Sequence, residues 1–493
     1  MMGTSQAQSE PLTPRTDTIT LLLSATSLCA YFASAVWFII ILSSMSIGRE
    51  PTAQAGLDNL SQMRPYWLAS AAMWVALTVF LVALYRLHAL AAPRAGSLRA
   101  WIKPVLVIVL VAIALRVPIV LTHSPSISDD IWRFLFDGRT LQSGHNPYLI
   151  APAEVDPQQP RFDGESELAA KTNNRDLVTI YLPTSQLVFA GAATITPEAM
   201  WHDLDRASAV YRGVFVAFEL LAIVLLLVAL RQAGRSPWWA ILYAWHPLAL
   251  TEVAASGHHD PVGYAIMVGA LLLAHMAPTR TCTWPALLAF GGAVKPFPIP
   301  LAVIPLRTRP LRQWLIAAAT GMVVCLALYL PFLATHDGEP LRRLWDTTQS
   351  FFWHWSFQGS VYSVLHEIGL TPENARRACL GMLAGVLVIL YCARIDLWRS
   401  ARVFLFAALL FSTTAHPWYL LWALVLIPMS FSPAVWVASL TLPWGYLVLG
   451  DVVEWSVPSW LGVITYLPVY AALLVDWFCI WRRRHAGGTQ AVH

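Results

Sequence analysis

Two adjacent carboxylates, Asp129 and Asp130, follow an apolar run from Pro104 to about Leu121, within the stretch SDDIWRFLFDGRTLQSGHNPYLIAP, Ser128 to Pro152. Acidic side chains are costly at a membrane boundary, so a pair there points to the use of at least one. The chemistry that suits such a residue is removal of a proton from a hydroxyl by a positioned carboxylate. Either acid can be that base, and capping the N-terminus of the following helix is the natural job of the other.

The elements that must position them are membrane helices. The chain of 493 residues is 57% hydrophobic and 12% charged, whereas a soluble protein carries about a quarter charged residues. Apolar runs of about 17 to 25 residues recur from end to end, the length that spans a bilayer. The net charge of +4 follows the basic loops and implies no nucleic-acid partner. The 23 Trp and 15 Tyr suit aromatic belts at the two interfaces. None of the six Cys forms a CxxC pair, so neither a disulfide framework nor a zinc site is expected. No GxGxxG, Walker loop, HExxH or GxSxG is present, and no internal repeat is visible.

Spans are expected near 18–45, 66–91, 104–122, 207–230, 237–255, 261–277, 313–334, 376–395, 434–450 and 458–481. Two Pro-interrupted pairs, near 282–306 and 402–430, read as short hairpins with Lys295 and His416 at their tips, for a total of about 12 to 14 transmembrane helices. The first run is too long for a signal peptide and reads as a retained helix. Residues 1–17 read as a disordered cytoplasmic tail, 18–485 as one polytopic membrane domain and 486–493 as a second cytoplasmic tail. Short basic loops at Arg86–Lys103, Arg231–Arg235, Arg280, Arg307–Arg312, Arg394–Arg402 and Arg482–Arg484 alternate consistently if all are cytoplasmic. The outer face then collects 123–206, His258–Asp260, Lys295, 335–375, His416–Tyr419 and Asp451–Glu454. Arg342, Arg343, Arg376 and Arg377 fall there too, either because long loops escape the rule or because they meet lipid phosphates. In 123–206, Asp130, Arg133, Phe134 and Asp137 share one face of a helix expected to lie on the membrane surface, ended by Gly144, Asn146 and Pro147. Residues 153–176 read as an exposed loop, and Ile180–Ile195 as a second interfacial helix.

The run SDDIWRFLFDGRTLQSGHNPY resembles the signature of multi-spanning GT-C glycosyltransferases, particularly the bacterial polyprenol-phosphate-mannose-dependent mannosyltransferases. AWHPLALTEVAASGHHD is similar to their N-P-L-x-L-x-E…G-H-N-D segment, AVKPFPIPLAVIP to their V-K-x…L-P hairpin, and HPWYLLWALVLIP to their P-W-Y-L-x-W…P segment. The four lie in the family's order over roughly residues 104 to 430. The chain departs from the pattern at Tyr181-Leu182-Pro183, where the family has Y-P-P, at Gly257-His258-His259-Asp260, and in carrying two spans before the acidic loop.

The resemblance implies an all-α GT-C bundle in the bacterial inner (plasma) membrane, with its site on the periplasmic or extracellular side and its partners a polyprenyl-phosphate sugar, a lipid or glycan acceptor and membrane lipids. It implies mannose as the sugar, inversion at the anomeric carbon and Asp130, just before Ile131-Trp132, as the base. A phosphate leaves readily, so neither a general acid nor a metal or other cofactor is required. Cations must hold the departing phosphate, however. Arg133, Tyr181 and Lys295 are candidates to bind donor or substrate, although Lys295 could instead snorkel to the surface. Arg116 could serve the same phosphate but is expected to snorkel. His258, His259 and Asp260 read as a grip on sugar or phosphate, as a polar interfacial turn, or as metal ligands lacking a third or fourth member. His416, with Trp418 and Tyr419, could stack on a sugar or prenyl chain or form part of an aromatic belt; Trp353, Trp355, Phe357 and Gln358 are weaker candidates. A transporter or flippase of lipid-linked sugars, without catalysis, is the alternative from another class.

Overall fold

The computed structural model describes residues 14–45, 53–87, 90, 98–122, 125, 127–450 and 457–486. The outermost residues of both expected tails, half of the basic loop 86–103 and the expected outer cluster Asp451–Glu454 lie outside them. Among the described residues every regular element is helical. The chain opens with α1 (Pro14–Ser44), α2 (Ala53–Arg86) and α3 (Leu98–Thr122), then α4 (Asp130–Gln142), α5 (Glu165–Lys171), α6 (Pro183–Ile195) and α7 (Leu204–Gln232). Of the described helices, 7 are long and apolar enough to cross a membrane: α1, α2, α3, α7 and those within 311–333, 372–392 and 459–478. Exposed Leu110, Val323 and Leu474 on three of them give the apolar outer surface that lipid requires.

Of the remaining expected spans, 261–277 is one continuous helix of 17 residues, Asp260–Met276; the others are broken helices, and proline explains the breaks. Pro247 forces His246 into extended backbone, at φ −73 and ψ 129, because the residue before proline is driven out of the helical region. The stretch 237–255 therefore divides into Pro237–Ala240, Ile241–Ala244, Pro247–Ala249 and a π-helical turn, Leu250–Ala255. Pro296, Pro298 and Pro300 interrupt the next expected hairpin, leaving Thr283–Gly292, Ile299–Ala302 and Val303–Leu306. The later hairpin likewise divides into Leu397–Leu410, Pro417–Leu420 and Leu421–Leu424. Both tips, at Lys295 and His416, are non-helical, as expected.

The segment 127–203 is a folded cap. The expected surface helix α4 is instead buried along its length, from Ile131 to Thr140. It packs on α6 so closely that a Cβ on Gly138 would stand 2.5 Å from the Phe189 carbonyl oxygen. The expected exposed loop 153–176 contains α5, whose Leu168 and Ala169 are buried. Asn146 Nδ2 donates to the Phe332 carbonyl at 2.7 Å, which ties the cap to the end of the helix Leu311–Leu333. At the other end of α7, Arg235 donates to the Met429 carbonyl at 2.6 Å, and Arg402 reaches Ser430 at 3.2 Å. Cap and basic loops thus occupy opposite ends of the bundle. All four arginines expected on the outer side meet partners within the protein: Arg342 pairs with Glu339, and Arg377 lies 3.5 Å from Asn374 Oδ1. Arg376 donates to the Phe352 and Trp355 carbonyls and to the Tyr362 hydroxyl, and Arg343 to the Leu149 carbonyl and to Glu154.

Arg116 neither snorkels nor reaches the site. Its Nε and Nη2 each meet a Glu219 oxygen at 2.6 Å, both side chains are fully buried, and Nη1 donates to the Ala112 and Ala244 carbonyls. Tyr243 donates to the same Glu219 at 3.2 Å. An ionisable group in a membrane helix is tolerated when such a partner faces it. Removing one partner leaves a bare buried charge. Arg116→Met is therefore expected to destabilise the protein by about 3–5 kcal/mol, read by unfolding in detergent, and Arg116→Met/Glu219→Leu to recover most of that loss.

Candidate active site

Asp130 opens α4, and Asp129 stands at the cap position before it but makes no side-chain cap bond. The expected capping role is thus absent. The Asn173 amide instead clamps the pair, donating to Asp129 Oδ1 at 2.9 Å and to Asp130 Oδ1 at 3.0 Å. The Asp130 side chain remains 22% exposed.

Behind Asp130 lies a fully buried array. Asp130 Oδ2 is 3.8 Å from His258 Nε2, and His258 Nδ1 is 3.1 Å from Glu252 Oε2. Tyr446 donates to Glu252 Oε1 at 2.5 Å. The chain reaches His258 through Gly257, which has a φ of +76 and on which a Cβ would meet Arg212 Cγ at 2.9 Å, so only glycine fits. The His258 ring stacks on Trp418 at 3.9 Å, Trp418 on His416 at 4.1 Å, and His416 on Phe357 at 4.5 Å. Phe357 is held there by backbone bonds to Thr413 and Ala415.

Lys295 Nζ donates to both oxygens of the fully buried Asp260 at 2.7 and 2.8 Å, and Trp422 Nε1 donates to the same carboxylate at 2.6 Å. The ammonium also lies 4.5 Å from the centre of the Tyr419 ring and remains 15% exposed. Asp260 is thus an anchor, and Lys295 the cation that it presents. Beside Tyr419 a narrow apolar pocket is lined by Phe297, Leu405, Leu409 and Trp422.

His259 stands apart from this wall. Phe134, Tyr181 and Phe189 surround its ring at 4.8, 5.0 and 5.3 Å, and neither nitrogen is hydrogen-bonded. Burial, reinforced by the Lys295 ammonium, pushes its pKa down to about 3, so the ring is neutral and packs as an aromatic. Tyr181 forms the edge between this cage and the acids, and burial raises its pKa, with the Asp130 charge adding to the effect. Arg133 commits Nε to Asp137 at 2.9 Å and Nη1 to the Leu177 carbonyl at 3.1 Å, while its buried Nη2 makes no hydrogen bond.

The geometry therefore gathers residues from all four motifs: Asp129 and Asp130, then His258 and Asp260, then Lys295, then His416 with Trp418 and Tyr419. The model of the alpha-(1->6)-mannopyranosyltransferase N-terminal domain family matches residues 33–336, more than half of the chain. The chain belongs to that family. A mannosyl-transfer role follows from the membership, and with it a sugar donor and an acceptor. The match takes in the acids, the histidine segment and the lysine hairpin, and ends before His416. No curated protein and no solved structure matches the chain. Asn173 and Glu252 were not singled out from the sequence. Asn173 sits in the polar stretch read as exposed loop, and Glu252 six residues before His258 inside a motif already quoted.

The neutral His259 predicts a pH effect. Its folded pKa lies below the unfolded value of about 6.5, so the unfolded chain binds the extra proton and stability falls as pH drops from about 6.5 toward 3. His259→Phe should flatten this loss by up to about 1.4 kcal/mol per pH unit, measured as detergent unfolding at several pH values.

Proposed function

We propose that this protein transfers mannose from a polyprenyl-phosphate donor, with inversion, to a hydroxyl of a lipid or glycan acceptor at the outer face of the plasma membrane. Asp130 is the base. It takes the acceptor proton as the acceptor oxygen attacks the anomeric carbon from the face opposite the phosphate. The bond from that carbon to the phosphate oxygen breaks, and its electron pair leaves with the phosphate. Lys295 steadies the growing charge, a term that is large in a water-poor site. Asn173 holds Asp130 in place.

The observation that carries this reading is the partly exposed carboxylate Asp130, clamped by Asn173 in a site that also holds a partly exposed ammonium, Lys295. Tyr419 links the two, its ring 4.5 Å from the ammonium and 5.8 Å from Trp418, which stacks on the His258 ring behind Asp130. The separation of the cap from the basic loops supports an outer-face site, by the excess of Arg and Lys in cytoplasmic loops.

Membranes given radiolabelled polyprenyl-phosphate-mannose test it. The wild type is expected to transfer label, and Asp130→Asn to lose about 10²–10⁴-fold in rate at unchanged expression. Asp129→Asn in the same assay should fall far less. Near-normal turnover by Asp130→Asn would remove that residue from the mechanism.

A further inference from the structure

Four observations single out the array behind Asp130. His258 Nδ1 lies 3.2 Å from the Glu252 backbone carbonyl as well as 3.1 Å from its carboxylate. A carbonyl oxygen can only accept, so Nδ1 carries the proton and, in the neutral ring, Nε2 is a lone pair. That Nε2 is buried, makes no hydrogen bond and faces Asp130 Oδ2 at 3.8 Å. Two acceptors facing each other leave room for one more proton between them. Glu252, fully buried, sits in a π-helical turn where Ser256 N–H bonds to the Thr251 carbonyl five residues back, a distortion frequent at functional sites.

We propose that Glu252, His258 and Asp130 form a proton relay, in which His258 and Glu252 are positioning residues acting through Asp130. The relay rests on the reading of Asp130 as the base. The acceptor O–H proton moves to Asp130 as the glycosidic bond forms, then from Asp130 Oδ2 to His258 Nε2. The imidazolium so formed keeps its Nδ1–H on the Glu252 backbone carbonyl, with the Glu252 carboxylate 3.1 Å away to offset its charge, and Asp130 is again a carboxylate. The logic is that of a nucleophile–imidazole–carboxylate triad with a carboxylate in the first place. Trp418, stacked at 3.9 Å, keeps the ring in the plane that both partners need, and the Tyr446 hydroxyl at 2.5 Å orients Glu252. The other titratable or charged groups near the ring are His259 and Asp260 next in the chain, Lys295 from the hairpin, and His416 and Tyr419 from the stacked wall.

The test is Glu252→Gln in the full-length protein, assayed with polyprenyl-phosphate-mannose beside wild type and Asp130→Asn. The carboxamide keeps size and shape but removes the charge. The expected result is a fall in kcat of about 10²-fold or more with KM within about twofold. Tyr446→Phe, which keeps the ring and loses the donor that orients Glu252, should show a smaller fall in kcat, again with KM little changed, and serves if Glu252→Gln does not fold. Unchanged kcat in these variants, with Asp130→Asn inactive, would overturn the relay and leave the transferase standing. A wild type that moves no label from this donor would overturn both.

Discussion

A charge inside an apolar bundle persists only with a partner, and this constraint organises the whole molecule. Deep in the bundle, Arg116 and Glu219 satisfy it completely, with two ionic contacts and further bonds from Arg116 to two backbone carbonyls. That pair joins α3 to α7, the two helices that flank the cap in sequence. Near the site the same constraint gives a different result. Asp260 is fully buried and holds Lys295, but Lys295 itself keeps some exposure. Arg133 and Asp137 form a third pair inside the cap helix. Each pair fixes an element.

Broken helices do the rest of the positioning. A continuous helix would carry its polar residues along the bundle; a proline break turns the backbone and leaves a short non-helical tip where one side chain can project. Lys295 and His416 both stand at such tips. The π-helical turn before His258 serves the same purpose within a single crossing, by setting Glu252 and His258 on one side of the chain. Non-helical backbone at this depth is tolerated because it lines protein or a cavity rather than lipid. The wall that results, Phe357, His416, Trp418 and His258, joins three distant segments through ring contacts worth about 0.5–1.5 kcal/mol each.

The cap shows why burial could not be read from periodicity. Asp130, Arg133 and Asp137 spaced along one face suggest a helix lying at an interface, with its charges toward water. In the fold, Arg133 and Asp137 neutralise each other and the helix sinks between α5, α6 and α7. The same spacing serves both outcomes, since an ion pair four residues apart can be solvated or buried. Arg116 gave the same ambiguity, because its partner Glu219 lies 103 residues away and no local pattern links them.

The sequence by itself determined that this chain is an all-α membrane protein, because composition and run length decide whether a helix can reside in lipid. It also marked the polar residues that the fold gathers in one place, because acids, histidines and a lysine are expensive there and stand out against an apolar background. Tertiary structure decided their division of labour. It set Asp260 against Lys295 and Trp422, His259 in an aromatic cage, the Asn173 amide on both acids and Glu252 beside His258. Those roles depend on contacts between segments tens to hundreds of residues apart. Such distances are set by how the helices pack, and spacing along the chain does not record them.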